Sequence, residues 1–396
     1  MKDDPVYLDN AATTPLAPEV LDAMRPWLES RHGNAAAVYY GPGRDASDAV
    51  EAARADAARL LNASPEEIHF TSGATESNNW VLSEILLGHP HPARRRAVTA
   101  AAEHHAVLEP LAALHKRHGF PVTVLPVDGH GRLDPSAFAD ALTPDDVAIA
   151  SVMLVNNEVG TINHVARLAA LARERGVPFH TDATQAVGKI PVDVKTLGVD
   201  FASLSAHKFN GPKGVGALYI RRGARLGPLL HGGGQERGRR AGTTNVAGIV
   251  GLGAAARLAE RRAADPRERR RLAELVDRMW NAFSEALPKI RRNGDPFPDG
   301  RIPGLLSLCV EGAEGEAILG YLDMYDIQVS SGSACTSGSL DPSHVLLAMG
   351  VPVEIAHGSI RFSLGHETTA GQIDRVIGIF PEVVNRVRSM SVTWKG

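Results

Sequence analysis

Short runs of β-branched and aromatic residues alternate with stretches of helical period through the chain up to residue 260. This alternation is typical of a mostly parallel sheet that carries helices on both faces. Ligand sites in such sheets lie at the carboxyl ends of the strands, so the residues that follow each strand are the first candidates for a site. The predicted strands are 66–71, 98–100, 122–125, 147–154, 178–181, 201–204 and 216–220, and the predicted helices are 47–61, 76–87, 105–117 and 165–175.

The last third of the chain has a different pattern. Residues 249–287 have a long helical period in which arginines are mixed with acidic residues. Such mixed charge is typical of a solvated helix face, and a basic surface for nucleic acid is the alternative. Strand-like runs at 305–310 and 327–330, with helical segments at 343–349 and 369–387, predict a smaller α+β domain at this end.

Charge and hydropathy exclude several classes of function. The 396 residues carry a net charge of −3, which argues against a nucleic-acid binder driven by electrostatics. We expect no direct nucleic-acid partner and no membrane partner, because no stretch reaches the roughly 18 uninterrupted apolar residues of a spanning helix. Acidic residues and a proline near the start do not match a signal peptide, so the predicted location is cytoplasmic.

The chain has two cysteines, and they lie in contrasting surroundings. Cys309 is in the apolar run LLSLCV, which predicts a buried strand and a thiol that only packs. Cys335 is in the small, polar segment SSGSACTSG, where packing explains nothing and a thiol would be reachable. Cys335 is therefore the candidate reactive cysteine.

A lysine and an aspartate follow two of the predicted strands. Lys208 lies in SAHKFNGPKG, just after a strand, where a lysine is suited to form a Schiff base. Asp182, the first residue of DATQAVG, lies at the end of another strand, and a buried carboxylate there could keep a pyridinium nitrogen protonated. Each has an ordinary alternative, since Lys208 could be a solvated cation and Asp182 a helix cap.

The segment SGATESNN, residues 72–79, follows another strand and opens a helix. Its backbone N–H groups and the Thr75 hydroxyl could hold a phosphate, although the segment could also merely begin a helix. It has neither the Walker spacing nor the G-x-G-x-x-G spacing of nucleotide-binding loops. Together with Lys208 and Asp182, this cradle predicts pyridoxal 5′-phosphate as the cofactor.

Further polar residues follow strand ends. His104 could stack on the cofactor ring or carry a proton, and Asn157 and Glu158 could touch ring substituents. Arg361, in GSIRFSLG, could hold an α-carboxylate or could be a surface ion pair. We expect no metal site, because the histidines lack further ligands at a recognisable spacing.

These motifs together resemble the cysteine desulfurases, within the class V family of pyridoxal-phosphate aminotransferases. The match covers nearly the whole chain, although Ala35 and Tyr40 stand where the family typically has proline and histidine. The resemblance implies a fold of the α/β class, the PLP-transferase type I fold. It further implies a large domain, 15–258, with a mostly parallel seven-stranded sheet, and a smaller α+β domain of 1–14 and 259–396. The motifs, in order, are YLDNAATTP, FTSGATESNN, EHHAV, VNNEVGT, DATQAVGKIPVDV, SAHKFNGPKGVGALY, HGGGQERGRRAGT, SSGSACTSG and SIRFSLG.

The resemblance also assigns roles to residues. It implies Lys208, Cys335 and His104 as catalytic residues, with Cys335 as the nucleophile that takes up sulfur. Asn157 and Arg361 would bind the substrate. The implied cofactor contacts are Ala74, Thr75, His104, Asn157, Asp182, Gln185, Ser205, His207 and Lys208, with Thr243 reaching the cofactor phosphate of the partner subunit in a homodimer.

The predicted activity is conversion of L-cysteine to L-alanine, with the sulfur held as a persulfide on Cys335. A sulfur-acceptor protein would receive it, in iron-sulfur cluster assembly, tRNA thiolation or DNA phosphorothioation. The alternatives are a selenocysteine lyase or a small-substrate aminotransferase of the same fold, and a non-catalytic scaffold.

Overall fold

The computed structural model describes residues 4–332, 341–391 and 394. The strands are β1 (Val6–Tyr7), β2 (Ile68–Thr71), β3 (Arg96–Ala100), β4 (Val122–Leu125), β5 (Val147–Ser151), β6 (Phe179–Asp182), β7 (Phe201–Ser205), β8 (Gly216–Ile220), β9 (Ile290–Arg292), β10 (Leu305–Val310), β11 (Ile327–Gln328) and β12 (Ser359–Ser363). The helices are α1 (Pro18–Glu29), α2 (Gly41–Leu60), α3 (Ala74–Gly88), α4 (His105–His118), α5 (Pro135–Ala141), α6 (Val165–Glu174), α7 (Val194–Leu197), α8 (Val246–Ala264), α9 (Pro266–Ala286), α10 (Gly315–Asp323), α11 (His344–Ala348), α12 (Val353–Ala356) and α13 (Ala370–Met390).

The main sheet confirms the predicted α/β class. Its seven strands lie in the order β2-β8-β7-β6-β5-β3-β4. All are parallel except β8, which runs antiparallel to both of its neighbours. Strands β5 to β8 are buried at every residue, as expected for a sheet covered on both faces.

Helices cover the two faces of this sheet with separate apolar clusters. On one face, Trp80 of α3 and Leu111 of α4 pack with Phe201 and Leu218 of the sheet. The cluster of the other face includes residues of α2, α6 and α8. Burying one such side chain stabilises the fold by about 1.5–3 kcal/mol.

A second, smaller core forms around a three-stranded antiparallel sheet of order β12-β10-β9. Phe283, Phe362 and Phe380 pack together there, with ring centroids 4.4–5.6 Å apart. Strand β1 joins the same cluster, because Val6 pairs with Ile327 of β11 in parallel. The N-terminal residues therefore pack with the C-terminal part of the chain, while the exact domain limits stay a prediction.

One predicted helix, 249–287, is wrong in extent. It is two helices, α8 and α9, because Pro266 cannot donate to a continuing helix and forces Asp265 into an extended conformation. Asp265 then caps α9, its Oδ1 accepting from the Arg267 N–H at 2.9 Å. Another helix, predicted from residue 47, begins at Gly41, with proline in its first turn. Within the described ranges, no helix combines the length and the apolar run needed to cross a membrane.

Candidate active site

A cavity opens at the carboxyl ends of β5, β6 and β7, beside the first turn of α3. It brings together most of the predicted site residues, namely Ala74, Thr75, His104, Asn157, Asp182, Gln185, Ser205, Lys208 and Arg361. The sequence reasoning missed several neighbours on its wall, which are Ala11, Ala12, Ala106, Met153, Val155 and Thr184.

Lys208 ends a short 3₁₀ turn, Ala206–Lys208, that follows β7 directly. Its Nζ donates hydrogen bonds of 2.7 Å to the carbonyl oxygens of Ala11 and Ala12. Both acceptors belong to the N-terminal segment, almost 200 residues away along the chain. The amine is thus held inside the cavity by the backbone, and the alternative of a solvated cation does not describe it.

Asp182 is the last residue of β6 and is buried, with 6% of its surface exposed. Its Oδ2 accepts a hydrogen bond of 2.8 Å from the Asn78 side-chain amide, and its Oδ1 accepts one of 2.9 Å from the Thr184 N–H. Hydrogen bonds to a buried carboxylate stabilise its charged form. Asp182 therefore stabilises the following turn, as the ordinary alternative expected, and also presents a supported negative charge to the cavity.

The first turn of α3 forms the predicted cradle. The Ala74 N–H donates to the Ser205 Oγ at 2.8 Å, and Thr75 lines the cavity beside it. The approach of β8 requires glycine, because a Cβ on Gly216 would lie 2.6 Å from the Cα of Gly73. The N-terminus of this 15-residue helix carries a partial positive charge, which suits a phosphate.

His104 caps α4, with its Nδ1 accepting from the Ala106 N–H at 3.0 Å. Burial lowers the pKa of His104, partly offset by the Asp182 carboxylate and reinforced by Lys208. The imidazole is therefore neutral at pH 7, and its remaining proton is on Nε2 because Nδ1 is an acceptor.

Arg361 lies in the middle of β12, and 3% of its side chain is exposed. Its guanidinium donates at 2.9 Å to the Asp9 carboxylate and at 2.9 Å to the Asn157 backbone carbonyl. The Arg361 Nε and the Asn157 Oδ1 are buried without a hydrogen-bond partner. Unpaired buried polar atoms are costly, so these two groups fit a polar ligand rather than a surface ion pair.

Three predicted positions do not lie in the cavity. His207 does not line it, and its Nδ1 lies 3.1 Å from the Thr13 hydroxyl, while burial lowers the pKa of His207 to about 4. Thr243 is exposed and does not line the cavity of its own chain. The expectation that Glu158 touches a ring substituent is wrong, because its buried carboxylate turns away to the Ser343 hydroxyl.

The structure describes one of the two cysteines. Cys309 is fully buried in β10, and burial raises the pKa of its thiol. Its surroundings match the predicted packing role. Cys335 lies outside the described residues.

Among the residues that are described, no group of three or more histidine, cysteine, aspartate or glutamate side chains is arranged to hold a metal ion.

Comparison with known proteins adds to this geometry. Residues 6–376 match the family model of the class-V aminotransferases. The chain is 46% identical to the cysteine desulfurase IscS of Methanosarcina thermophila, over 98% of this chain and 93% of that relative. It is 48% identical to a cysteine desulfurase of Cereibacter sphaeroides, over 98% of this chain and 97% of the relative.

Solved structures show the same likeness. The structure of a NifS-like protein superposes with a TM-score of 0.89 at 36% identity, covering 96% of this chain and all of the other. A structure described as SspA in complex with cysteine superposes with a TM-score of 0.79 at 33% identity, covering 92% of this chain and 100% of the other.

Proposed function

Because this chain belongs to the class-V aminotransferase family and is a cysteine desulfurase, we propose that it binds pyridoxal 5′-phosphate in the cavity at the strand ends. There it would release the sulfur of L-cysteine through Cys335. The observation that carries the proposal is the convergence of Lys208, Asp182 and Arg361 on one cavity. Those three residues supply the amine, the carboxylate and the guanidinium that this chemistry requires.

The described residues fit the cofactor. The first turn of α3 and the Ser205 hydroxyl would hold its phosphate, and the Asp182 carboxylate would pair with its ring nitrogen. His104 would lie against the ring, and Lys208 would bond to its aldehyde carbon. When bound, the cofactor supplies an electron sink that stabilises negative charge on the substrate carbon from which a proton is removed.

The residues of the chain orient the substrate and move its protons. The unpaired Nε of Arg361 and Oδ1 of Asn157 are suited to the carboxylate and the ammonium of an amino acid. Once the amino group of the substrate has taken its place on the cofactor, Lys208 would take the proton from the α-carbon, because its free amine is directed into the cavity. The neutral His104 imidazole, with its proton on Nε2, would return a proton to the departing product.

Sulfur transfer falls to Cys335. Its thiolate attacks the substrate sulfur, an S–S bond forms, and the Cβ–S bond breaks. The electron pair of that bond stays on the carbon, which takes up a proton and leaves as L-alanine, while the sulfur remains as a persulfide. Buried Cys309 is unsuited to this role, because burial raises the pKa of its thiol and only the thiolate is a good nucleophile.

We further propose that the protein is a homodimer in which Thr243 completes the partner subunit's phosphate site. Leu21 and Leu28, seven residues apart on one face of α1, are 41% and 63% exposed, and Tyr39 is 90% exposed. Such apolar exposure supports contact with a second subunit. The persulfide would pass to an acceptor protein in iron-sulfur cluster assembly, tRNA thiolation or DNA phosphorothioation. A cytoplasmic location stays a prediction from sequence.

The test is a comparison of cysteine variants after addition of pyridoxal phosphate. Wild-type protein should take up the cofactor, with a visible absorbance, and release alanine from L-cysteine. Cys335→Ala should keep the absorbance and lose turnover, whereas the control Cys309→Ala should retain both. Turnover of L-cysteine by Cys335→Ala would contradict the persulfide route. Amino-group exchange with a keto acid, or selenocysteine cleavage independent of Cys335, would instead support the alternatives of the same fold.

A further inference from the structure

Behind the active site lies a second cavity, which shares Lys208 with the first and is lined by Lys189. The Lys189 Nζ donates a hydrogen bond of 2.7 Å to the Oε1 of Gln185, four residues earlier in the chain. The Gln185 side chain is buried, with 4% exposed, and lines the first cavity. Lys189 does not line that first cavity, so its contact with the site runs through the Gln185 amide.

A tight turn places Lys189 beside Gln185. Gly188 has a φ of +81°, and a Cβ at this position would lie 2.6 Å from the Cβ of Phe209. Only glycine meets both conditions without strain or displacement. The Lys189 N–H then closes the turn by donating to the Ala186 carbonyl at 3.0 Å, which directs the lysine side chain back along Gln185.

The Lys189 amine and the Ala11 carbonyl both favour one orientation of the Gln185 amide. An amide has an accepting oxygen on one side and a donating NH₂ on the other, whereas an ammonium only donates. The flipped amide would bring two donors together, so Oε1 must face Lys189. Nε2 is consequently turned toward the Ala11 carbonyl, at 2.8 Å, and that same carbonyl accepts from the Lys208 Nζ at 2.7 Å.

We propose that Lys189 is a positioning residue that holds Gln185 as a hydrogen-bond donor toward the cofactor. The ring oxygen of pyridoxal phosphate can be a hydroxyl group or an ionised oxygen. A donor that cannot turn into an acceptor favours the ionised form. Lys189 thereby stabilises the ionised ring oxygen without touching it. This inference rests on the proposed cofactor binding.

Several charges face the Lys189 ammonium. Lys208 and Arg361 act on it from the site, and Arg262, Glu268, Arg269 and His366 line the second cavity around it. Burial, with Lys208 and Arg361, lowers the pKa of Lys189 to about 7. Titration of Lys189 would therefore also reflect the charges of these neighbours, whereas substitution of Lys189 removes its amine alone.

The test uses the absorbance of the bound cofactor, measured across pH in reconstituted variants. Lys189→Met removes the amine but keeps the length of the side chain. We expect the pH midpoint of the absorbance change to rise by about one unit, because the ionised ring oxygen loses the donor that favours it. The matched control is Lys195→Met, since Lys195 is exposed and the one described hydrogen bond of its side chain is to Asn62, at 3.3 Å. The midpoint of this variant should equal that of wild type.

Two further variants separate positioning from a direct effect of charge. Gln185→Leu should raise the midpoint as Lys189→Met does, and the double variant should show no additional rise, because both changes remove the same donor. Gln185→Glu keeps an acceptor for Lys189 but cannot donate to the ring oxygen, so it should also raise the midpoint with Lys189 intact. If Lys189→Met does not fold, an unchanged midpoint in Gln185→Glu would still overturn the proposal, because Lys189 would then have no donor to position.

An unchanged midpoint in Lys189→Met or in Gln185→Glu would overturn the proposal. A further rise on adding Lys189→Met to Gln185→Leu would also overturn it, because the lysine would then act through its field alone. Wild-type protein that takes up no cofactor would refute the proposed function instead. The two failures are therefore distinguishable.

Discussion

Glu158 allows a test of how burial controls stability. Its carboxylate is 4% exposed and accepts a hydrogen bond from the hydroxyl of Ser343, the residue that caps α11. Burial raises the pKa of Glu158 from 4.5 to about 7, although the Ser343 hydrogen bond and the Arg361 charge oppose the shift. The folded protein therefore binds this proton more tightly than the unfolded chain does.

The sign of the effect follows from that difference in proton binding. Below pH 4.5 both states hold the proton, and stability does not depend on this group. As the pH rises from 4.5 to about 7, the unfolded chain loses its proton first, so wild-type stability falls. At 1.36 kcal/mol per pKa unit the full loss is about 3 kcal/mol.

Glu158→Gln removes the titration while keeping an acceptor for the Ser343 hydroxyl. As the pH rises from 5 to 8, we expect the free energy of unfolding of the variant to rise by about 3 kcal/mol relative to that of wild type, and the difference between their melting temperatures to rise by about 4 °C. The measurement is thermal unfolding of both apo proteins across that pH range.

The matched control is Glu285→Gln, because Glu285 is an exposed glutamate near the end of α9. Its difference from wild type should be the same at every pH. A flat difference for Glu158→Gln between pH 5 and pH 8 would refute the reasoning, since it would mean that burial does not hold the proton on this carboxyl.

Three other substitutions probe the site and its support. Asn78→Leu should lower kcat/KM by roughly 10–100-fold with the fold intact, because Asp182 loses a charge-assisted hydrogen bond. Steady-state kinetics and circular dichroism check this, and an unchanged kcat/KM would contradict it. Arg361→Gln should raise KM for L-cysteine by about tenfold or more while cofactor absorbance persists, and an unaltered KM would exclude Arg361 from substrate binding. Arg54→Met should destabilise the protein by about 3–5 kcal/mol in denaturant unfolding, because Glu236, with 6% of its side chain exposed, is left buried without its cation. A decrease of less than about 1 kcal/mol in the free energy of unfolding would contradict this.

Much of the fold could be predicted from the sequence, because the patterns that indicate strands and helices are local. The seven runs of strand composition became the seven strands of the main sheet, since burial on both faces selects the same residues that have strand propensity. The unpredicted break at Pro266 was also local, because a proline inside a helical pattern marks a boundary.

In the candidate site, too, features that depend on neighbouring residues could be predicted, and contacts between distant segments could not. Lys208, Asp182 and Thr75 could be predicted because each lies at or just after the end of a strand, and parallel strands bring their carboxyl ends to one edge. Sequence could not indicate that the carbonyls of Ala11 and Ala12 hold Lys208, because pairing across almost 200 residues leaves no periodic signal.

The sequence by itself determined the fold class and the family, and it predicted the candidate reacting groups, because composition, period and motif are properties of neighbouring residues. Only the tertiary structure decided how those groups are tuned. It placed Asn78 on Asp182, turned Glu158 away to Ser343, and directed Lys189 onto Gln185. Each of these contacts depends on burial and on the direction of a side chain, and both are fixed only when distant segments pack together.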